Sequence, residues 1–496
     1  MTGAKNFMFV VIILVVVTLI VGEWVIPVSA DNTGIATPII TKIKDVSTVT
    51  PGNNASLEQQ EELKNIIYSY FEARYHALSV LYSDDFKRNG FGDLVSDQAD
   101  AKYFLKAELD KLAIEIKHAE LNHLRYVQYE YFLSFQSMVV DESNQTAIVS
   151  LTEENNTVDE ISLKIAPEKP FVSHNYNRIH TIALRREENQ WKIVSDDYMD
   201  YFWRMLRQTG QSPDELLRNM KAVPHPTTQS PNHETVISNS LPANMPSHAY
   251  DRNGAVDYAY NHANNYNPDY PRYDIGSGAL PWGDCQNFVS QAIYEEGNAS
   301  MYIPSPFPDP SPNGQSGWYL LNDMQRATDW NWVNGFYDFV TDPNPNVTEG
   351  PVGHKVDYLN DIMLGDVIQY DWTGDGTWDH SVIVVEIIGT DVYVATHTPD
   401  DIRHYTAFSP SYNPNLTQMR FIHIDQSRGN PPIKTKISAA GDDAGTVTRS
   451  TNNACGYTGT GGDYDVYFGK CFGSFTDIAS GFQFRNLQIP HGAYIK

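Results

Sequence analysis

Residues 281–297 read PWGDCQNFVSQAIYEEG, and this stretch decides how the centre of the chain folds. Phe288, Val289, Ala292 and Ile293 recur at helical spacing as one apolar face, Asp284 stands where an N-cap belongs, and Gly297 supplies a stop. Cys285 therefore falls in the first turn of an amphipathic helix. Backbone N–H groups and the positive end of the helix dipole favour a thiolate there, so the expected thiol pKa lies below that of an ordinary cysteine. The same N–H groups can hold an oxyanion. The bland alternative is a buried, inert cysteine in a core.

The sequence downstream weighs against that alternative. GDVIQYD (365–371), HSVIVVEIIG (380–389) and DVYVATHTPDD (391–401) read as three consecutive strands, with His380 opening the second and His397 closing the third. Two histidines at strand ends on a sheet behind a cysteine helix is a layout for activating a thiol. Between the first two strands, DWTGDGTWD (371–379) offers Asp371, Asp375 and Asp379 as calcium ligands around a glycine turn. It lacks the EF-hand spacing and closing glutamate, and a tight hairpin at Asp375-Gly376 explains it without an ion. Trp282, Trp318, Trp330, Trp332 and Trp378 are candidates to line a cleft or to fill the core. His404 and His423 read as ordinary exposed or edge histidines.

DCQNFVSQ, preceded by Tyr250-Asp251-Arg252 and NPDYP and followed by GDVIQYD, WDHSVIVV and YVATHTPD, resembles the Putative amidase domain family. That family is part of the papain-like superfamily, which includes NlpC-type and CHAP cell-wall amidases and peptidases. The resemblance covers about residues 249–424. It implies Cys285 as nucleophile, His380 as base, and His397 as the third polar residue that orients His380, with a carboxylate or amide elsewhere as the alternative, since some relatives use Asn, Asp or Glu there. The backbone N–H of Cys285 is the expected oxyanion donor, joined by a group from Trp282 to Asp284. Asn287 is expected beside the site as polar helix packing.

Before this domain, Ser56-Leu57-Glu58-Gln59 has capping-box form, and Leu63, Ile66, Ile67, Tyr70, Phe71, Leu78 and Leu81 follow at helical spacing. A second helix is predicted from about Ala99 to His118. VQYEYFLSFQSMVV, TAIVSLTEE, HTIALRRE and WKIVSDDY then alternate as antiparallel strands. A helix followed by a curved meander resembles the nuclear transport factor two-like (SnoaL-like) α+β cone. HAELNH (118–123) lacks the i, i+4 histidine pair that a zinc protease needs. Residues 211–247 are rich in Pro, Asn, Ser and Thr, without periodicity, and read as a connector.

The N-terminus joins a short segment carrying Lys5 to an apolar run, Phe7 to Val21, and then Val28-Ser29-Ala30, the pattern of a secretory signal cut after Ala30; the length of the apolar run leaves an uncleaved anchor as the alternative. Export makes the three cysteines informative: Cys455 and Cys471, sixteen positions apart in a Gly-rich stretch, are expected to pair, and Cys285 is left over. Such a loop closure contributes about 3 kcal/mol. With 35 Lys+Arg against 61 Asp+Glu and a formal charge of −26, the chain is a poor partner for nucleic acid.

The sequence thus predicts an α+β multidomain protein. Its parts are a signal peptide (1–30), a linker (31–55), a nuclear transport factor two-like accessory domain (56–205), a linker (206–248), a papain-like cysteine amidase domain (249–425), a linker (426–440) and a β-rich segment (441–496). That last segment faintly resembles the opening strands of a β-sandwich module. The expected activity is hydrolysis of an amide bond through an acyl-thioester, on a peptide of peptidoglycan type, outside the cell and without a cofactor or a retained membrane span. An inactive cell-wall or surface-binding module and an acyl transferase using the same Cys–His site are the rival readings.

Overall fold

A computed structural model describes residues 54–81, 90–198, 209–224, 245–273, 283–304, 317–322, 325–342, 344–409, 418–431, 443–449 and 475–482. The expected signal segment, Trp282 and the Cys455–Cys471 pair lie outside the described residues. The chain divides into two compact units, Met1–Val223 and Pro224–Lys496. Its architecture is α+β in both.

In the first unit, α1 (Leu57–Leu78) starts on the capping box read from the sequence. The Ser56 hydroxyl accepts from the Gln59 N–H, and the Gln59 side chain accepts from the Ser56 N–H at 2.9 Å. The second helix, α2, runs Lys102–Asn122, about three residues later than expected, and ends where His123 turns left-handed at φ 56°. The sheet runs β1 (Tyr126–Asp141), β2 (Thr146–Asp159), β3 (Ser173–Glu187) and β4 (Gln190–Tyr198), each antiparallel to the next. The short α3 (Glu160–Ile165) follows β2. Alternation sends Tyr129, Tyr131, Leu133 and Phe135 of β1 inward, where they share a core with Leu63, Ile67, Tyr70 and Phe71 of α1.

One further helix, α4 (Pro213–Asn219), lies inside the stretch expected to be connector. Ser212 and Glu215 form a second capping box, and Pro213 sits in the first turn, where no N–H is needed. Leu216, Met220 and Val223 are buried, and the Val223 N–H donates to Asn122 Oδ1 at 2.8 Å. Three apolar residues are too few to show a helical period, which is why the sequence pattern missed it.

The core of this unit also holds charge. His180 Nδ1 lies 2.9 Å from Asp196 Oδ1 and its Nε2 lies 3.2 Å from Glu153 Oε2, all three groups being buried. Arg74 meets Asp196 at 3.6 Å, Arg178 meets Glu153 at 3.3 Å, and the Tyr75 hydroxyl donates to Glu153 at 2.7 Å.

In the second unit, β5 (Ser247–His248) and α5 (Arg252–His262) come first, and Asp251 caps α5 by accepting from the Gly254 N–H at 3.0 Å. The cysteine helix is α6 (Cys285–Glu295). A small ribbon, β6 (Leu320–Asn322) and β7 (Gln325–Arg326), leads to α7 (Thr328–Asn331) and α8 (Val333–Thr341). The sheet then comprises β8 (Gly350–Val356), β9 (Val367–Asp371), β10 (His380–Ile388), β11 (Asp391–Thr396), β12 (Asp401–His404) and β13 (Gln418–Arg428). Its antiparallel order is β12-β11-β10-β9-β13, and β13 also pairs with β8 and β5. Farther on, β14 (Asp443–Arg449) pairs with β15 (Phe475–Phe482).

β10 is a continuous apolar run because both of its faces are covered, and α5 and α6 pack on it. Phe288, Val289, Ala292 and Ile293 of α6 are fully buried, as are Val382, Ile383 and Val384 of β10. The two helices meet backbone to backbone. A Cβ on Gly254 would collide with the Glu296 carbonyl, one on Gly297 would sit 2.6 Å from the Tyr250 ring, and the Asp251 N–H donates to Gly297 O at 3.0 Å. Trp318 and Trp330 are core residues, 4.8 Å apart ring to ring, so neither lines a cleft.

Candidate active site

Cys285 is 2% exposed at the first turn of α6 and is in no disulfide. The helix start is not capped as expected. Asp284 has φ −105° and ψ 1°, away from the extended geometry of an N-cap, and its side chain makes no capping bond. The carboxylate is spent elsewhere: Oδ1 accepts from the Tyr273 N–H at 3.2 Å and from Asn287 Nδ2 at 2.9 Å, and Oδ2 lies 2.8 Å from His397 Nδ1.

The turn that carries Asp284 is docked on the turn after β11. The Asp284 N–H donates to Thr398 Oγ1 at 3.1 Å, and Gly283, at φ 77°, leaves room for the Thr398 methyl. Thr398 itself holds φ 56°. A β-branched residue in that region is strained and persists only where its surroundings fix it, a feature concentrated at functional sites.

His380 opens β10, fully buried, with Trp372 5.6 Å and Phe408 5.4 Å from its ring centre. Its register partner on β9 is Tyr370. His380 Nε2 lies 3.4 Å from Thr396 Oγ1, and that hydroxyl also lies 3.0 Å from the carbonyls of Ser381 and His397. One bond between next-door residues joins the cysteine helix to this strand. Ser381 Oγ, adjacent to His380, donates at 2.6 Å to Gln286 Oε1, adjacent to Cys285. Gln369 Nε2 reaches both of them, at 3.0 and 3.2 Å, and Arg420 Nε donates to Gln369 Oε1 at 2.6 Å. Arg420 lies between the rings of Tyr337 and Trp378, and burial lowers its pKa to about 10.

His397 is placed differently from its expected role. Both ring nitrogens are engaged, Nδ1 with Asp284 and Nε2 with the His262 carbonyl at 2.8 Å, so the bond to His380 implied by the resemblance is replaced by one to the residue before the cysteine. The ring stacks between Phe288 at 4.1 Å and Tyr266 at 3.9 Å. Asn287 is buried, as helix packing should be, and bonds Pro271 O, Asp284 and Trp330 Nε1. His404 is not exposed: it is buried against Thr406 and Asp391.

Asp371, Asp375 and Asp379 serve the β9–β10 turn. Asp371 accepts from the N–H groups of Thr373, Gly374 and Gly376, Asp375 from Thr377, and Asp379 from Trp372. No cluster of three metal-ligating side chains occurs among the described residues. The other sequence motifs brace the domain. Arg252 Nη1 pairs with the buried Asp366 at 2.6 Å, Asp366 also bonds His423 at 2.8 Å, and the Tyr250 hydroxyl donates to Gly365 O at 2.8 Å.

Thr396, Gln286, Ser381, Gln369 and Tyr266 were not read from the sequence as parts of the site. Gln369 left a trace, since a polar side chain inside the apolar run GDVIQYD must find buried partners. The others left none.

Residues 249–422 match the family model described as "Putative amidase domain", and this segment carries a domain of that family. The chain is 30% identical over 178 residues to the uncharacterized protein YhbB of Bacillus subtilis, an alignment covering 35% of this chain and 50% of that protein. The chain thus spans about half the length of the curated relative it matches. A crystal structure of the intermembrane space region of the chloroplast protein ARC6 aligns with 28% of this chain and 95% of its own, at 20% identity and a TM-score of 0.21. Among the described residues no helix is long and apolar enough to cross a membrane.

Proposed function

We propose that residues 249–425 are a cysteine amidase of papain-like type, exported after cleavage behind Ala30, that hydrolyses an amide bond in peptides of the peptidoglycan class. The observation that carries this is the Gln286–Ser381 bond of 2.6 Å, which ties the first turn of the Cys285 helix to the start of the His380 strand. In this reading His380 takes the thiol proton and the thiolate attacks the amide carbonyl. The oxyanion forms against the Cys285 N–H. The imidazolium then protonates the leaving amine, and water, deprotonated by the same histidine, releases the acyl group. The first unit is read as a nuclear transport factor two-like accessory domain, and the segment after residue 440 as a β-rich appendage.

The test is iodoacetamide labelling of the reduced protein from pH 4 to 10, wild type beside His380→Ala, with the alkylated cysteine located by mass spectrometry. Cys285 should react well below the ordinary thiol pKa of about 8.5 and lose that low-pH reactivity without His380. A Cys285 that stays inert until the protein unfolds refutes the amidase reading. Export is tested separately: the N-terminus of protein recovered from the medium should be Asp31.

A further inference from the structure

We propose that Asp284 and His397 form a charge-compensated clamp on the nucleophile. His397 is a positioning residue that acts on Cys285 through Asp284, holding the residue before the thiol and cancelling its negative charge. This rests on the cysteine-amidase reading of the site and changes which residue His397 serves.

Nδ1 faces a carboxyl oxygen at 2.8 Å and Nε2 a backbone carbonyl at 2.8 Å; the carbonyl only accepts, as does Asp284 when ionised, so beside that carboxylate both nitrogens carry hydrogen. The ring is therefore an imidazolium beside a carboxylate, and the two groups are 1% and 0% exposed. Burial alone would discharge the ring. The hydrogen bond and charge of Asp284, the charge of Asp400 and the His262 carbonyl outweigh it and raise the His397 pKa above its usual value. The stacked Phe288 and Tyr266 rings suit a cation, and Arg272 lies over the Tyr266 ring at 3.4 Å.

Other titratable groups also face the pair. α5 contributes His262, here through its carbonyl, and Tyr258; the following loop contributes Tyr266, whose hydroxyl donates to Asp400 Oδ1 at 2.7 Å, and Tyr273, through its N–H. Asp400 comes from the turn after β11, and His380 stands on β10 across Thr396. An Asp284 without its counter-ion would be a buried carboxylate one residue from the sulfur that must become a thiolate, and like charge at that range suppresses ionisation.

The experiment compares iodoacetamide alkylation of Cys285 in the full chain for wild type, His397→Gln, Asp284→Asn and the double variant. His397→Gln should slow alkylation at pH 6 about tenfold, moving its onset up by about one pH unit. The double variant, which removes both charges, should return to within about threefold of wild type. A single variant that reacts like wild type, or a double variant slower than either single one, overturns the clamp. If His397→Gln does not fold, ring nitrogen shifts of 15N-histidine wild type decide: both His397 nitrogens should stay protonated to a higher pH than those of an ordinary histidine, and a ring that loses its proton no later than an ordinary histidine overturns the proposal. An inert wild-type Cys285 overturns the amidase reading and the clamp together, whereas a reactive wild type indifferent to His397 overturns the clamp alone.

Discussion

Two buried histidines, one in each unit, divide the molecule's polar interior into two kinds. His180 lies between the carboxylates of Asp196 and Glu153, which also meet Arg74 and Arg178. His397 lies between one carboxylate and one carbonyl, with a cysteine next in chain to that carboxylate. Every nitrogen of both rings faces an oxygen, and both rings have raised pKa values because their acidic neighbours outweigh burial. Burial, a shifted pKa and an acidic partner are therefore shared by both clusters and cannot by themselves mark a site. What sets the second apart is a cysteine at a helix start and a second histidine one strand residue from a bond to that helix.

The comparison is broken most forcefully at Glu153. Removing one partner of a buried ion cluster leaves uncompensated charge, so Glu153→Ala should destabilise the first unit by about 3–5 kcal/mol in chemical denaturation. A loss under about 1 kcal/mol would mean that the His180 cluster is not a structural knot and that the contrast fails.

A smaller effect should follow pH. Burial would raise the Glu153 pKa, but Arg178 and His180 reverse this and depress it; burial would lower that of His180, but Asp196 and Glu153 raise it. A depressed acid stabilises the fold above its unfolded pKa of about 4.3 and loses that contribution as pH falls below it. A raised histidine stabilises below its unfolded pKa of about 6.5, and the contribution is lost as pH rises through the higher folded value. The cluster should therefore contribute most between about pH 4.5 and 6.5. Thermal melts of the wild type should lose, relative to a Glu153→Ala/His180→Ala variant, on both sides of that window; a flat difference would sink the assignment.

The smallest expected effect sharpens a contrast between two helix starts. Ser56 caps α1 through its hydroxyl, whereas Asp284 does not cap α6. Ser56→Ala should cost about 1 kcal/mol in denaturation. A null result there would mean that α1 is held by its buried face alone.

Elements with a strong local signature were legible in the sequence. The capping box at Ser56, the apolar face of α6 and the three strands after Gly365 all appear where periodicity puts them, within a few residues. The partner of Asp284 was not legible. An aspartate before a helix reads as a cap in any local window, and its true partner lies 113 residues away. Thr396 and Gln286 were hidden for the same reason, since hydrogen bonds across a sheet carry no sequence period.

Gly254 gives the site a distant reference point. Its missing side chain lets α5 press against the carbonyl of Glu296, at the far end of the helix that begins with Cys285. A helix of 11 residues is about 16 Å long, and it is a stiff rod. Any side chain at position 254 would push that rod along or across the sheet and carry the sulfur with it. The placement of Cys285 on the sheet is thus calibrated three turns away, by an atom that is not there.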